Sequence, residues 1–265
     1  MDQGFWNNGI WIPADGNIFH NIPASQVLRH YPNLSIRIVG DSTMRFHYSA
    51  WLDFFNISHD FPHHFINDND SCAFSKVGWP IAGPCANRWR GPCRDNMINC
   101  IYSHSYKSIN ITFEWWRHGL SLPKNKFTYS DIVILSTGVW EAKAKYKWKR
   151  QTLGNIQRLH RSNSGKHTFI MSNGICAGGQ RAFWTNVTSS SWPGSSMEER
   201  VRECNTVLKE YSNTNRSIIY IDRVPSMYVP YNITSPCFHH HPYGMMSDLH
   251  IQFVLHALFH EWKVV

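Results

Sequence analysis

Short apolar runs alternate along this chain with amphipathic stretches, and the alternation predicts its elements. Runs at Leu34–Val39, Ile109–Phe113, Ile132–Leu135, Thr168–Met171 and Ile218–Ile221 read as buried strands. Amphipathic stretches follow at Met44–Phe55, Thr152–His160, Met197–Tyr211 and Ile251–Trp262. The third opens with the capping box Ser196-x-x-Glu199 and then sets Val201, Cys204, Leu208 and Tyr211 on one face. In the last, Phe253, Val254, Ala257, Leu258 and Trp262 share a face, which predicts a helix. Strands alternating with helices predict an α/β fold, a mainly parallel sheet with helices on both faces. No internal repeat or low-complexity linker divides the 265 residues, so 1–265 reads as one domain.

The stretch 57–107 breaks the alternation. It is rich in Gly, Pro and Asn and holds Cys72, Cys85, Cys93 and Cys100, four of the seven cysteines. That pattern predicts a disulfide-tied insertion over the sheet, because cross-links commonly replace a missing core. Zinc is the competing use, but the spacing contains no C-x2-C.

A sheet of this kind opens its ligand crevice beyond the carboxyl ends of its strands, so the residues just after each run are where chemistry is sought. The first run ends as Val39-Gly40-Asp41-Ser42. Gly40 permits a tight turn, and Ser42 falls at a helix start, where unsatisfied N–H groups can hold a developing oxyanion. Ser42 is therefore the candidate nucleophile, although Gly-Asp-Ser is also an ordinary turn and N-cap. A nucleophilic serine needs a base, and His250 in Ser247-Asp-Leu-His250, just before the last helix, is the candidate, with Asp248 orienting its ring. The same run is also a plain helix cap. His239, His240 and His241 could bind a metal or form a solvated loop, and no metal is expected at the site.

Composition narrows the partner. Lys and Arg exceed Asp and Glu by 26 to 18, leaving +8, which favours acidic partners. No zinc-finger, RNA-recognition or helix-turn-helix pattern accompanies the charge, so no nucleic acid is expected. Twelve Trp and eleven Tyr suit stacking on sugar rings. Trp140 is the foremost candidate. After it Lys143, Lys145, Lys147 and Lys149 alternate with Tyr146 and Trp148, either a basic stripe for carboxylate- or sulfate-bearing polymer or a solvated loop. No apolar run approaches the roughly 20 residues a membrane span needs.

Seven Asn-x-Ser/Thr sequons, at Asn33, Asn56, Asn69, Asn110, Asn186, Asn215 and Asn232, predict the secretory pathway, either Golgi lumen or extracellular space. The N-terminus lacks a basic start and an apolar core, so it is not itself a signal peptide and the targeting segment is expected to be removed or omitted.

The Gly40-Asp41-Ser42 turn, the strand running into Gly138-Val139-Trp140, and the late Asp/His before a final helix resemble the SGNH-hydrolase superfamily. Within it they most resemble the PC-esterase and trichome-birefringence-like branch of glycan O-acetyltransferases. Gly40–Arg45 is similar to that branch's extended serine block, Ile111–Trp116 to its aromatic strand, and Ser226 in Asp222–Tyr228 has a similar counterpart. The resemblance runs from about Trp11 to the end. It implies a three-layer, flavodoxin-like SGNH fold and an acetyl-serine intermediate. Oxyanion donors would be the Ser42 and Gly138 N–H groups, and Gly138 is equally readable as a strand-end turn residue. Gly119 and Asn173 would stand for the family's separate Gly and Asn blocks. Arg45, Trp140, Lys143 and Lys145 would touch substrate. No cofactor would be bound, the acetyl donor would be acetyl-CoA or an acetylated carrier, and the partner would be a polysaccharide or a glycoprotein glycan, possibly acidic.

One departure matters. The family pattern is Asp-x-x-His, whereas one residue separates Asp248 from His250. In a helix two residues so spaced diverge by about 200°. Were the helix already formed there, Ser247 would align with the family Asp, leaving a Ser–His dyad or a silent site. Three functions thus remain: transfer or removal of O-acetyl groups, a catalytically silent glycan-binding domain, and a lipid or carboxyl esterase.

Overall fold

The computed structural model describes residues 4–7, 10–15, 20–40, 42–58, 73–74, 80–82, 101–115, 130–137, 148–162, 167–173, 197–225 and 245–261. A hairpin of β1 (Gly4–Asn7) and β2 (Ile10–Pro13) precedes α1 (Ala24–His30). Then come β3 (Ser35–Gly40), α2 (Ser42–Phe54) and a small ribbon of β4 (Ala73–Phe74) with β5 (Pro80–Ala82). The chain continues through β6 (Ile101–Tyr106), β7 (Ile109–Trp115), β8 (Ile132–Leu135), α3 (Trp148–Ser162), β9 (His167–Met171), α4 (Met197–Thr214), β10 (Ile218–Ile221) and α5 (Met245–Glu261).

Six strands form the main sheet in the order β10-β9-β8-β3-β7-β6. All neighbours are parallel except β6, which closes one edge antiparallel to β7. All five expected strands are present in it, and all four expected helices are present with shifted ends. Alternation along β3 sends Ile36 and Ile38 to one face and Arg37 and Val39 to the other. The first face packs Met44, Tyr48, Trp51 and Leu52 of α2 with Leu249, Phe253, Val254 and Leu258 of α5 into the larger core. On the second, Val39, Val133, Leu135 and Ile170 meet Ile156 and Leu159 of α3 and Leu208 of α4. Helices therefore cover both sides. All four residues of β8 are buried, which explains why that run shows no polar alternation.

The expected insertion over 57–107 ends earlier than its sequence suggests, because residues 101–106 are the antiparallel edge strand and Ile57 belongs to the core. Tyr106 pairs with Ile109, leaving a two-residue turn of Lys107 and Ser108, with Lys107 at φ 53°. The sequence lacks the Asn-Gly or Asp-Gly signature that would have announced that turn. Cys72, Cys85, Cys93 and Cys100 lie outside the described residues, and Cys204 is buried on α4. At the lower end of the sheet, Ser35 N–H and Oγ–H both donate to Asp131 Oδ2 at 2.8 Å, clamping the starts of β3 and β8.

Candidate active site

The parallel strands deliver their carboxyl ends to one end of the sheet, and a buried polar cluster forms there from the residues that immediately follow them. After β8 come Ser136 and Thr137, after β9 Ser172 and Asn173, and after β10 Asp222 and Arg223. Of these, all but Asp222 are buried. β3 ends at Gly40, where a Cβ would crowd Met44 and stand 2.8 Å from the Ser136 carbonyl oxygen, so only glycine lets β8 approach this closely. Ser42 then opens α2.

Asn173 ties the ends of two strands to a helix. Its Nδ2 donates to the Thr137 carbonyl at 2.6 Å, and its Oδ1 accepts from Ser136 Oγ at 3.2 Å. Its backbone N–H donates to Asn205 Oδ1 at 2.8 Å, and Asn205 Nδ2 returns a bond to the Asn173 carbonyl at 3.0 Å. The Thr137 carbonyl is thereby held by Asn173, which Asn205 holds in turn.

Arg223 ties in the rest. Its N–H donates to Ser172 Oγ at 2.9 Å, its Nε to the Ser172 carbonyl, its Nη2 to Ser136 Oγ at 3.4 Å, and its Nη1 meets His47 Nε2 at 2.6 Å. A guanidinium only donates, so His47 Nε2 accepts, and the His47 ring is neutral with its proton on Nδ1. His47 lies on α2, five residues beyond Ser42 and roughly 7.5 Å further along the helix axis. Its ring packs against that of His250 from α5, centroids 5.3 Å apart and tilted by 30°. Both imidazoles are buried. Burial first, then the Arg223 charge, holds His250 well below its ordinary pKa. Burial, then Arg223, then His250 do the same to His47.

The structure thus brings His250 to the helix that Ser42 begins, across 208 positions of sequence from one to the other. It does not bring Asp248 to His250. α5 has begun at Met245, three residues before Asp248, so the two side chains diverge around the helix. Asp248 lies on the exposed side, where partial burial and then the Asp53 charge push its carboxyl up. The helix start seen here therefore does not favour the orienting role expected for Asp248. The rings beside His250 include those of His47, with Arg223 behind it, and Phe253.

Among the other expected residues, Arg45 lies within α2, and Gly138, Trp140, Lys143 and Lys145 lie outside the described residues. So do Asp41, Trp116, Gly119, Ser226 and His239–His241. Lys149 is in α3, so the expected extended lysine stripe does not continue through it. Among the described residues no group of His, Cys, Asp and Glu is placed to hold a metal, and no helix is long and apolar enough to cross a membrane.

No family model matches the chain, and no curated protein matches it. Solved structures with a similar backbone include an active-site mutant of a family two carbohydrate esterase from Clostridium thermocellum, with a TM-score of 0.43 and 9% identity over 84% of this chain. A family two carbohydrate esterase from the same organism, in complex with cellohexaose, gives 0.42 and 11% over 87%. A third is a carbohydrate esterase whose active site displays divergent catalytic and non-catalytic binding functions, at 0.38 and 11% over 86% of this chain and 68% of that one. The chain spans 62% and 64% of the length of the first two.

Proposed function

We propose that the chain is a serine-dependent acyl-ester enzyme of the secretory pathway that moves acetyl groups on or off glycan hydroxyls. The observation that carries this reading is the meeting of the His250 ring with α2, the helix opened by Ser42. His250, neutral at neutral pH, takes the Ser42 proton as Ser42 Oγ attacks the acetyl carbonyl. The N–H groups at the start of α2 stabilise the oxyanion, with Gly138 as second donor. His250 returns the proton to the departing alcohol or carrier. The acetyl-serine then passes its acyl group to a sugar hydroxyl or to water, and the two outcomes differ only in that acceptor. Arg45, Trp140, Lys143 and Lys145 would present the glycan, and acetyl-CoA or an acetylated carrier would supply the acetyl group in the transfer direction.

Asp248 favours a second reading. With its carboxylate turned away from His250, a catalytically silent glycan-binding domain of the same fold is the alternative. A fluorophosphonate probe separates the two: labelling of the folded wild type that disappears in Ser42→Ala supports the enzyme, and no labelling of either supports the binder. An active protein that cleaves long acyl esters as readily as acetyl-sugars would instead be a lipid esterase.

A further inference from the structure

The sequons are a motif of the sequence that the site chemistry leaves unused, and the fold sets the described ones along one end of the sheet. Asn33 lies two residues before β3, and Asn110 is the second residue of β7, paired across the sheet with Ser35. Asn215 lies three residues before β10, where its carbonyl accepts the Ile218 N–H at 2.8 Å. All three are at the amino ends of parallel strands. Asn56 reaches the same end by another route: α2 starts at the carboxyl end of β3, returns along the sheet, and terminates two residues before it. Asn56 has φ 55°, the left-handed conformation that ends a helix and that Asn adopts readily. The buried cluster of His47, His250 and Arg223 is at the opposite end.

The four amides differ in how they are used. Asn33, Asn56 and Asn110 are exposed. The Asn110 side chain is held by its oxygen, which accepts from Ser103 Oγ at 2.9 Å and Ser105 Oγ at 3.1 Å, so its nitrogen is turned away from those donors. Asn215 is only partly exposed and uses its nitrogen: Nδ2 donates to the Tyr211 carbonyl at 2.8 Å and to Thr214 Oγ1 at 3.0 Å. A sugar on that nitrogen replaces one of the two donated hydrogens and sets a bulky ring against the last turn of α4.

We infer that Asn33, Asn56 and Asn110 carry N-linked glycans, grouped at the end of the sheet opposite the candidate active site, and that Asn215 stays unmodified in the folded protein. In the reaction the Asn Nδ2 bonds to the anomeric carbon of an oligosaccharide borne on a lipid pyrophosphate. The bond from that carbon to the pyrophosphate oxygen breaks, the lipid pyrophosphate leaves with the electron pair, and the amide gives up one proton. The inference rests on the secretory part of the proposed function and is independent of its ester chemistry.

The test is glycopeptide mapping of folded, monodisperse full-length protein secreted from a eukaryotic host, with enzymatic deglycosylation in heavy-oxygen water marking each occupied Asn. The expected result is the label at Asn33, Asn56 and Asn110 and an unlabelled Asn215 peptide. Label at Asn215 in folded material, or its absence from any of the other three, overturns the inference. Fluorophosphonate labelling of the protein with Asn69, Asn186 and Asn232 changed to Gln, before and after deglycosylation, is expected to proceed at one rate, because the remaining glycans stand away from Ser42. A several-fold faster rate after deglycosylation overturns the grouping. Complete absence of labelling with all three sites occupied removes the ester chemistry and leaves this inference standing.

Discussion

Two buried arginines on the same sheet are held in opposite ways. Arg37, in the middle of β3, turns to the α3 and α4 side and gives Nε, at 3.0 Å, and Nη2 to Glu114 Oε2 on the neighbouring strand β7. The partners of Arg223, just past β10, include neutral acceptors: an imidazole, a carbonyl and a hydroxyl. A carboxylate cancels the charge where it sits, and the first pair is a clamp between strands. The Arg223 charge adds to burial at His47 and His250, and its field disfavours their protonation. One residue type thus serves as a structural tie in one region and as a source of field in the other.

The largest effects separate the regions by activity. Ser42→Ala and His250→Gln are each expected to lower acetyl turnover by roughly four to six orders of magnitude, since residues acting as a unit fail together. Replacing the clamp by Arg37→Met with Glu114→Leu should leave Ser42 labelling by a fluorophosphonate near the wild-type rate. Loss of labelling in that folded double variant would break the division between tie and site. Unchanged turnover in His250→Gln would hand the base to one of His239–His241.

Next in size is the clamp itself. Glu114→Gln removes the carboxylate that the buried Arg37 guanidinium donates to and is expected to cost up to about 3–5 kcal/mol in urea unfolding. Removing both charges with apolar residues of similar volume should cost far less, because the desolvation of the pair disappears with its attraction. Equal losses in the single and double variants would mean that packing, not charge, sets the cost.

The field region makes itself felt through pH. Both buried imidazoles have folded pKa values well below 6.5, while the unfolded chain titrates near 6.5. The unfolded state therefore binds more protons below that value. Their contribution to stability is constant above about pH 6.5 and falls as the pH drops beneath it, by up to about 1.4 kcal/mol per pH unit for each imidazole. His160, lowered by partial burial, adds a smaller share. His47→Gln keeps an acceptor for Arg223 and removes one titrating ring, so the slope of urea-derived stability between pH 6.5 and 5.5 should shrink by up to that amount. An unchanged slope would show that His47 titrates normally.

Much of this was legible in the sequence, for reasons that differ by element. β8 and β10 fall at the expected residues because a buried parallel strand is a bare apolar run with little else to confuse it. α1 escaped notice: seven residues between Pro23 and Pro32 carry only one fully buried position, Val27, too few for a helical period. β6 was hidden in a cysteine-rich stretch by a turn without glycine. The rule that chemistry follows the strand ends pointed at Ser42, yet it points equally at Ser172, Asn173 and Arg223, which follow β9 and β10. Arg223 was read only as part of a family-like segment, since nothing local says that an arginine after a strand will be buried. His47 had no sequence signal beyond its place two residues past the serine block, and its role depends on a histidine more than two hundred residues away.

The smallest expected effect bears on Asp248. An exposed carboxylate near Asp53, on the far side of α5 from His250, contributes little to either region, and its removal relieves a like-charge contact. Asp248→Asn should therefore change stability by less than about 0.5 kcal/mol and leave turnover within a few-fold of wild type. An orienting carboxylate would behave otherwise, because its amide analogue presents the wrong partner to the imidazole and typically costs roughly 10⁴ in rate. Since Asn conserves the shape, a loss of that size could not be ascribed to packing. It would require the first turn of α5 to unwind in the working enzyme so that Asp248 and His250 stand on one side of an extended segment. Measured turnover of this variant thus tells whether the helix start seen here is the catalytic arrangement.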